Sequence, residues 1–231
     1  MKPSRSFNSL INKPENEPTD RLSLLKLIQL ADSALPIGGA AHSFGLETLI
    51  AENLITAESL PQFLRDYLEE TGVLEAIFCR AAYRGWSTDW AMLNRQLSAR
   101  KPARESRDAS LTLGRRFLQL FQTLEHCEIP AGDAHLAPAF GYAGRILGLA
   151  ENLITEVYLQ QSTIALVSAS QRLMPIGQQR ASRLIWDLKP AIVEAAEASA
   201  STAPEAAAAF TPLAELASMR HVSLETRLFI S

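Results

Sequence analysis

Between two apolar segments of helical spacing stands Asp32-Ser33-Ala34-Leu35-Pro36-Ile37-Gly38-Gly39-Ala40-Ala41-His42-Ser43-Phe44-Gly45-Leu46-Glu47, a run of small and chain-breaking residues. Pro36 fixes its own φ and biases Leu35 away from the helical region, while Gly38 and Gly39 accept positive φ or a close neighbour. The spacing predicts one helix ending near Asp32 and another starting near His42. Ser43 and Glu47 then offer acceptors to the free N–H groups of the new first turn, where the helix dipole also favours negative charge. Read by itself, the run is a helix–helix connection whose glycines serve close packing.

The rest of the chain keeps the helical rhythm. Leu22, Leu24, Leu25, Leu27, Ile28 and Leu30 point to several faces, which predicts a first helix buried nearly all round. Leu46, Leu49, Ile50 and Leu54 form a single stripe. Ser59 and Gln62 have capping-box spacing ahead of the stripe Leu60, Phe63, Leu64, Tyr67 and Leu68, with Pro61 in the first turn. Gly72 permits a break before a helix from Val73 to Trp86, and a more polar helix over 89–100 stops at Lys101-Pro102. A long helix opens at Arg104 and carries Leu113, Phe117, Leu118, Leu120, Phe121 and Leu124. Asp133, at the end of the loop from Ile129, is the N-cap candidate for the next helix. Residues 152–173 hold many β-branched side chains but no Gly or Pro, and their length and spacing predict a buried helix whose small polar residues admit close neighbours.

Met174-Pro175-Ile176-Gly177-Gln178 is a second break. The helix after it is interrupted at Pro190, and Glu194 to Ala209 reads as a helix end plus a mobile link. Glu-Asn-Leu-Ile-Thr occurs at Glu52 and again at Glu151, in an element order that rules out a tandem repeat. The expected fold is all-α, a single-domain compact multi-helix bundle over 21–217. A polar arm with Pro3, Pro14 and Pro18 precedes it at 1–20, expected to be mobile, and a tail follows at 218–231. That tail mixes Arg220, His221 and Arg227 with Leu228, Phe229 and Ile230, unusual for a segment at a chain end.

Composition excludes several function classes. A net charge of -3 leaves no basic excess for nucleic acid, and no run of about 18 apolar residues offers a membrane span. With no charged-then-apolar leader in view, the cytoplasm is the expected compartment. Cys79 and Cys127 form no Cys-x-x-Cys pair and read as buried free thiols. Phosphate loops, Gly-x-Ser-x-Gly elbows, His-Glu-x-x-His pairs and EF-hand loops are all missing. His126 and Cys127 are neighbours, but adjacent helical residues point about 100° apart and chelate one ion poorly. His42 and His135 read as hydrogen-bonded structural histidines.

Five blocks in order, covering nearly all of residues 22–231, resemble the urease accessory protein F (UreF) family. They are the Leu35-Pro36-Ile37-Gly38 turn with His42-Ser43-Phe44-Gly45-Leu46-Glu47; Arg104, Glu105 and Arg107; Gly114-Arg115-Arg116; His135 with Phe140-Gly141; and Met219, His221, Arg227, Leu228 and Phe229. The sequence departs from the family where Ala40 and Ala41 replace an aromatic residue, where Val222 replaces a Glu, and where Glu225-Thr226 replaces Tyr-Ser.

The resemblance implies a non-enzymatic chaperone and scaffold with no cofactor, catalytic or metal residue of its own, acting without nucleic acid or membrane. It implies a homodimer that binds UreD (UreH), recruits the GTPase UreG, and so helps deliver nickel to apo-urease. Carried over position by position, the partner-binding candidates are Ser33, Pro36, Gly38, Gly39, His42, Ser43, Glu47, Arg220, His221, Arg227, Leu228 and Phe229. The tail is expected to order on its partner, burying Leu228 and Phe229 while Arg227 meets an acceptor. The alternative is a regulator of the partner's GTP hydrolysis, with a residue such as Gln178 completing its site.

Overall fold

Apolar residues three and four apart leave water together only as the stripe of a helix. A computed structural model of the chain describes residues 20–231, without the side chains of 86–88, and carries these stripes on α-helices, with no strand among the described residues. The arm at 1–20 lies, but for Asp20, outside them. The helices are α1 (Arg21–Leu30), α2 (Leu46–Ala51), α3 (Leu60–Tyr67), α4 (Val73–Ala99), α5 (Arg104–Glu125), α6 (Leu136–Leu147), α7 (Glu151–Leu173), α8 (Gln178–Asp187), α9 (Lys189–Ala198) and α10 (Pro212–Arg220). None of them is long and apolar enough to cross a membrane.

Helix α6 is the centre of the packing. It lies along α4 most extensively, then α5 and α7, and its Phe140 and Tyr142 join Trp90, Phe117, Phe121 and Tyr158 in an aromatic core with ring centroids 5.5 to 6.4 Å apart. The α4 crossing is close because Gly141 has no Cβ: one built there would stand 1.9 Å from the Cys79 carbonyl oxygen. Buried Arg80 ties α4 to α7 and α9, donating to Glu151 at 2.6 Å, Asn152 at 2.8 Å, the Ser199 hydroxyl at 2.9 Å and the Ala196 carbonyl at 2.9 Å.

Several local expectations give way to longer-range contacts. Helix α1 is not buried all round: Leu27 and Leu30 are in the core, but Leu22, Leu25 and Ile28 are each about three-fifths exposed. Ser59 makes no capping bond, because its hydroxyl turns to Thr56 while Gln62 pairs with Asp66. Gly72 breaks nothing; a π-turn over 68–72 runs α3 straight into α4. The two helices expected over 73–100 are both present within α4, because the backbone leaves helical geometry at Gly85 and Asp89, and the Asp89 carboxylate takes the Met92 N–H at 2.8 Å to start the second.

His135, not Asp133, stands at the N-cap of α6. Cys79 is buried as expected, and burial pushes its thiol up, but Cys127 is only half-buried. In α7 the hydroxyls of Thr155, Ser162, Thr163 and Ser170 bond back to carbonyls four residues earlier, which satisfies them inside the core. The repeated pentapeptide is a turn at 52–56 and the first turn of a helix at 151–155, so its surroundings decide its shape. The Ala-rich link is held rather than loose, since Arg100 donates to the carbonyls of Ala207 and Glu205.

Candidate partner-docking site

The break at 32–47 and the segment at 218–231, which lie at opposite ends of the sequence, meet in space. After α1, the Asp32 carboxylate takes the Ala34 N–H at 2.8 Å, and Leu35 and Ile37 drop into the core. Gly38 then takes φ 89°, the left-handed region that only glycine enters cheaply, and a short 3₁₀ turn follows at Gly39–Ala41. Two arginines fix this turn from behind: Arg116 on α5 donates to the Ile37 carbonyl at 3.2 Å and Arg172 on α7 to that of Ala40 at 2.6 Å.

The next helix therefore starts later than the sequence suggests. His42 is extended, and α2 begins at Leu46 behind Gly45, at φ 86°. A side chain at Gly45 would strike the Ala214 carbonyl oxygen and Ser218, so its absence lets α10 sit directly on α2. Ser43 and Glu47 do not cap the helix. Both are buried and turned to the tail.

The Ser43 N–H and hydroxyl donate to the Ser231 carbonyl at 2.5 and 3.0 Å, and the Ile230 N–H donates to the Ala41 carbonyl at 2.8 Å. His42 Nδ1 lies 2.7 Å from the Ser231 hydroxyl, and burial with the nearby Arg116 charge holds that imidazole below its ordinary range. The Glu47 carboxylate accepts the N–H groups of Leu228 at 2.6 Å and Phe229 at 3.2 Å. His221, fully buried, bridges Glu47 and Glu105 at 2.8 Å each.

The tail is thus laid on the body of its own chain. Burial alternates along its last four residues. Phe229 and Ser231 point inward at 5% and 4% exposure, with the Arg172 guanidinium 4.2 Å over the Phe229 ring. Leu228 and Ile230 point outward at 57% and 69%. Phe229 is consequently covered by this chain rather than waiting for a partner.

Of the other candidates, Arg227 is exposed, Arg220 pairs with Glu52 at 2.6 Å beside the cluster, and Ser33 and Pro36 are exposed on the turn. Gln178 is exposed at the first turn of α8. Glu105 and Arg172 were not among the expected site residues. Glu105 lay in a charged run that reads equally as a solvated helix face, and nothing in the sequence marks Arg172.

A family model described as UreF matches residues 54–189, more than half of the chain. The chain belongs to the UreF family. It is similar to urease accessory protein UreF of Paracoccus denitrificans, 32% identical over 92% of this chain and 98% of that protein. It is likewise similar to the UreF proteins of Nostoc sp., 32% identical over 90% and 95%, and Haemophilus influenzae, 28% identical over 89% and 94%.

In this UreF-family urease accessory protein the break at 32–47 and the tail lie outside the residues that the family model matches, while Glu105, Arg116 and Arg172, which hold them, lie inside. A cleft of about 80 Å³ adjoins the site, lined by Ser33, Ala40, His42, Arg172 and Phe229 among others. A second chamber, about 90 Å³, holds a buried Lys101–Glu75 pair at 2.5 Å, with the Tyr158 hydroxyl on the other Glu75 oxygen at 2.7 Å. Among the described residues no group of three or more His, Cys, Asp or Glu side chains is arranged to hold a metal ion. The arrangement at the tail is one of satisfied donors and acceptors: chemistry that holds a surface in place.

Proposed function

We propose that this chain acts as a non-enzymatic scaffold in urease maturation, binding UreD/UreH through α10 and the tail, pairing with a second copy, and recruiting the GTPase UreG so that apo-urease receives nickel in the cytoplasm. The observation that carries the reading is the outward row of apolar side chains on a segment anchored from beneath. Leu213, Leu216, Met219 and Val222 on and after α10 are each two-fifths or more exposed, and Leu228 and Ile230 stand out from the tail. Contiguous exposed apolar side chains with a polar surround are the mark of a protein-binding surface. The exposed stripe Leu22, Leu25 and Ile28 on α1 supports burial against another chain as well, here the second copy.

Size-exclusion with light scattering tests this directly, on the chain alone and mixed with UreD/UreH and UreG from the same source. A dimer alone and a three-component complex in the mixture support the scaffold. A monomer that enters no complex refutes it, and a GTPase rate that changes when the chain is added would favour the regulator instead.

A further inference from the structure

The second break, Met174-Pro175-Ile176-Gly177-Gln178, brings α8 beside the start of α3, and a cleft of about 300 Å³ opens between the two helices. It shares no lining residue with the cleft beside the tail. Its floor is apolar: Leu60, Ile176 and Leu188 are all buried beneath it. Its rim carries three exposed arginines, Arg65, Arg180 and Arg183, against one carboxylate, Asp187. The chain as a whole has a net charge of -3, so this positive excess is a local feature of the groove.

The three guanidinium groups are not neutralised within the fold. Arg180 spends one donor on the Ala57 carbonyl at 2.6 Å, which pins it at the end of the groove; Glu58 feels its charge but is not part of the lining. Arg183 meets Asp187 at 2.9 Å one turn on, with side chains 76% and 45% exposed, and so solvated a pair is exchanged for another carboxylate at little cost. No ion pair holds Arg65 among the described residues. One helical turn along from Arg183, Trp186 is 67% exposed, with the Lys189 Nζ 5.6 Å from its ring centroid. Trp and Arg are the residues that most often dominate binding at protein interfaces.

We propose that the α3–α8 groove docks an acidic segment of another protein, with a large apolar side chain on the Leu60–Leu188 floor and carboxylates on Arg65 and Arg183. A guanidinium takes a carboxylate through two parallel N–H bonds, and the apolar floor favours a peptide over a bare inorganic anion. The groove uses no residue of α10 or the tail, so this docking is independent of the scaffold reading above.

Selection of a random-peptide display library on the full-length chain is the test. The enriched sequences should combine Asp or Glu with a large apolar residue. A fluorescently labelled copy of one should bind the unmodified chain, more weakly as salt rises, and bind Arg65→Glu and, independently, Arg183→Gln at least about tenfold more weakly. Both positions are exposed, so each variant should keep the thermal midpoint of the unmodified chain. Enrichment of neutral or basic sequences, enrichment of none, or equal affinity for both variants would overturn the inference. So would light scattering that finds a dimer of the unmodified chain and a monomer of Arg65→Glu, since a second copy would then cover the groove.

Discussion

His135 has no exposed surface, and its ring lies between two hydroxyls, Ser98 at 2.8 Å and Ser110 at 3.0 Å, while its backbone N–H donates to Asn94 at 2.8 Å. Burial first, then the Lys101 and Arg107 charges, lowers its pKa to about 3. The folded chain therefore keeps the ring neutral, whereas the unfolded chain takes up a proton once the pH drops below the ordinary value of about 6.5. Stability from this residue is complete above that value and is lost as the pH falls toward 3. Between pH 7 and 5 the loss is about 2 kcal/mol, seen as a lower denaturation midpoint. His135→Gln starts from a lower midpoint and flattens the slope over that window; an unchanged slope would contradict the assignment. The sequence marked His135 as structural, and that holds, although its partners are side-chain hydroxyls.

At the scale of elements, what was legible is what local spacing encodes. The stripes of α3, α5 and α7 and the breaks at Pro36 and Pro175 stand where the periodicity puts them. The lost caps have two causes. Ser43 and Glu47 look like first-turn acceptors, and are instead claimed by groups some 180 residues away in the chain; Ser59 is claimed by its own loop. Neither the tertiary competition nor the local one leaves a periodic trace.

Gly141 shows the reverse case, a residue quoted for resemblance whose role is physical. Its missing Cβ lets α4 and α6 touch, so Gly141→Ala forces backbone apart and should cost about 3 kcal/mol or more in chemical denaturation. A cost below 1 kcal/mol would mean that the crossing is looser than described.

The whole molecule is a set of helices around α6, with two exposed apolar surfaces and one internal tie. The tie is Arg80. Removing a buried charge that serves three helices leaves its acceptors unpaired, so Arg80→Ala should lower unfolding free energy by roughly 3 to 5 kcal/mol. A smaller loss in a denaturant titration would show that Arg84, which also reaches Glu151, carries the junction. The all-α class was readable from the sequence. That α1 bares an apolar stripe was not, because hydrophobic residues on several faces do not say which of them another chain will cover.

The account stands or falls on the outward side of the tail. The direct measurement is a calorimetric titration of UreD/UreH into the unmodified chain and into Leu228→Asp/Ile230→Asp, whose changed side chains are exposed and should shift the free chain's stability by no more than about 0.5 kcal/mol. The account predicts binding to the unmodified chain and an affinity at least about tenfold weaker for the double variant, as expected when apolar contacts at the core of an interface are replaced by charges. Equal affinity for both would contradict it.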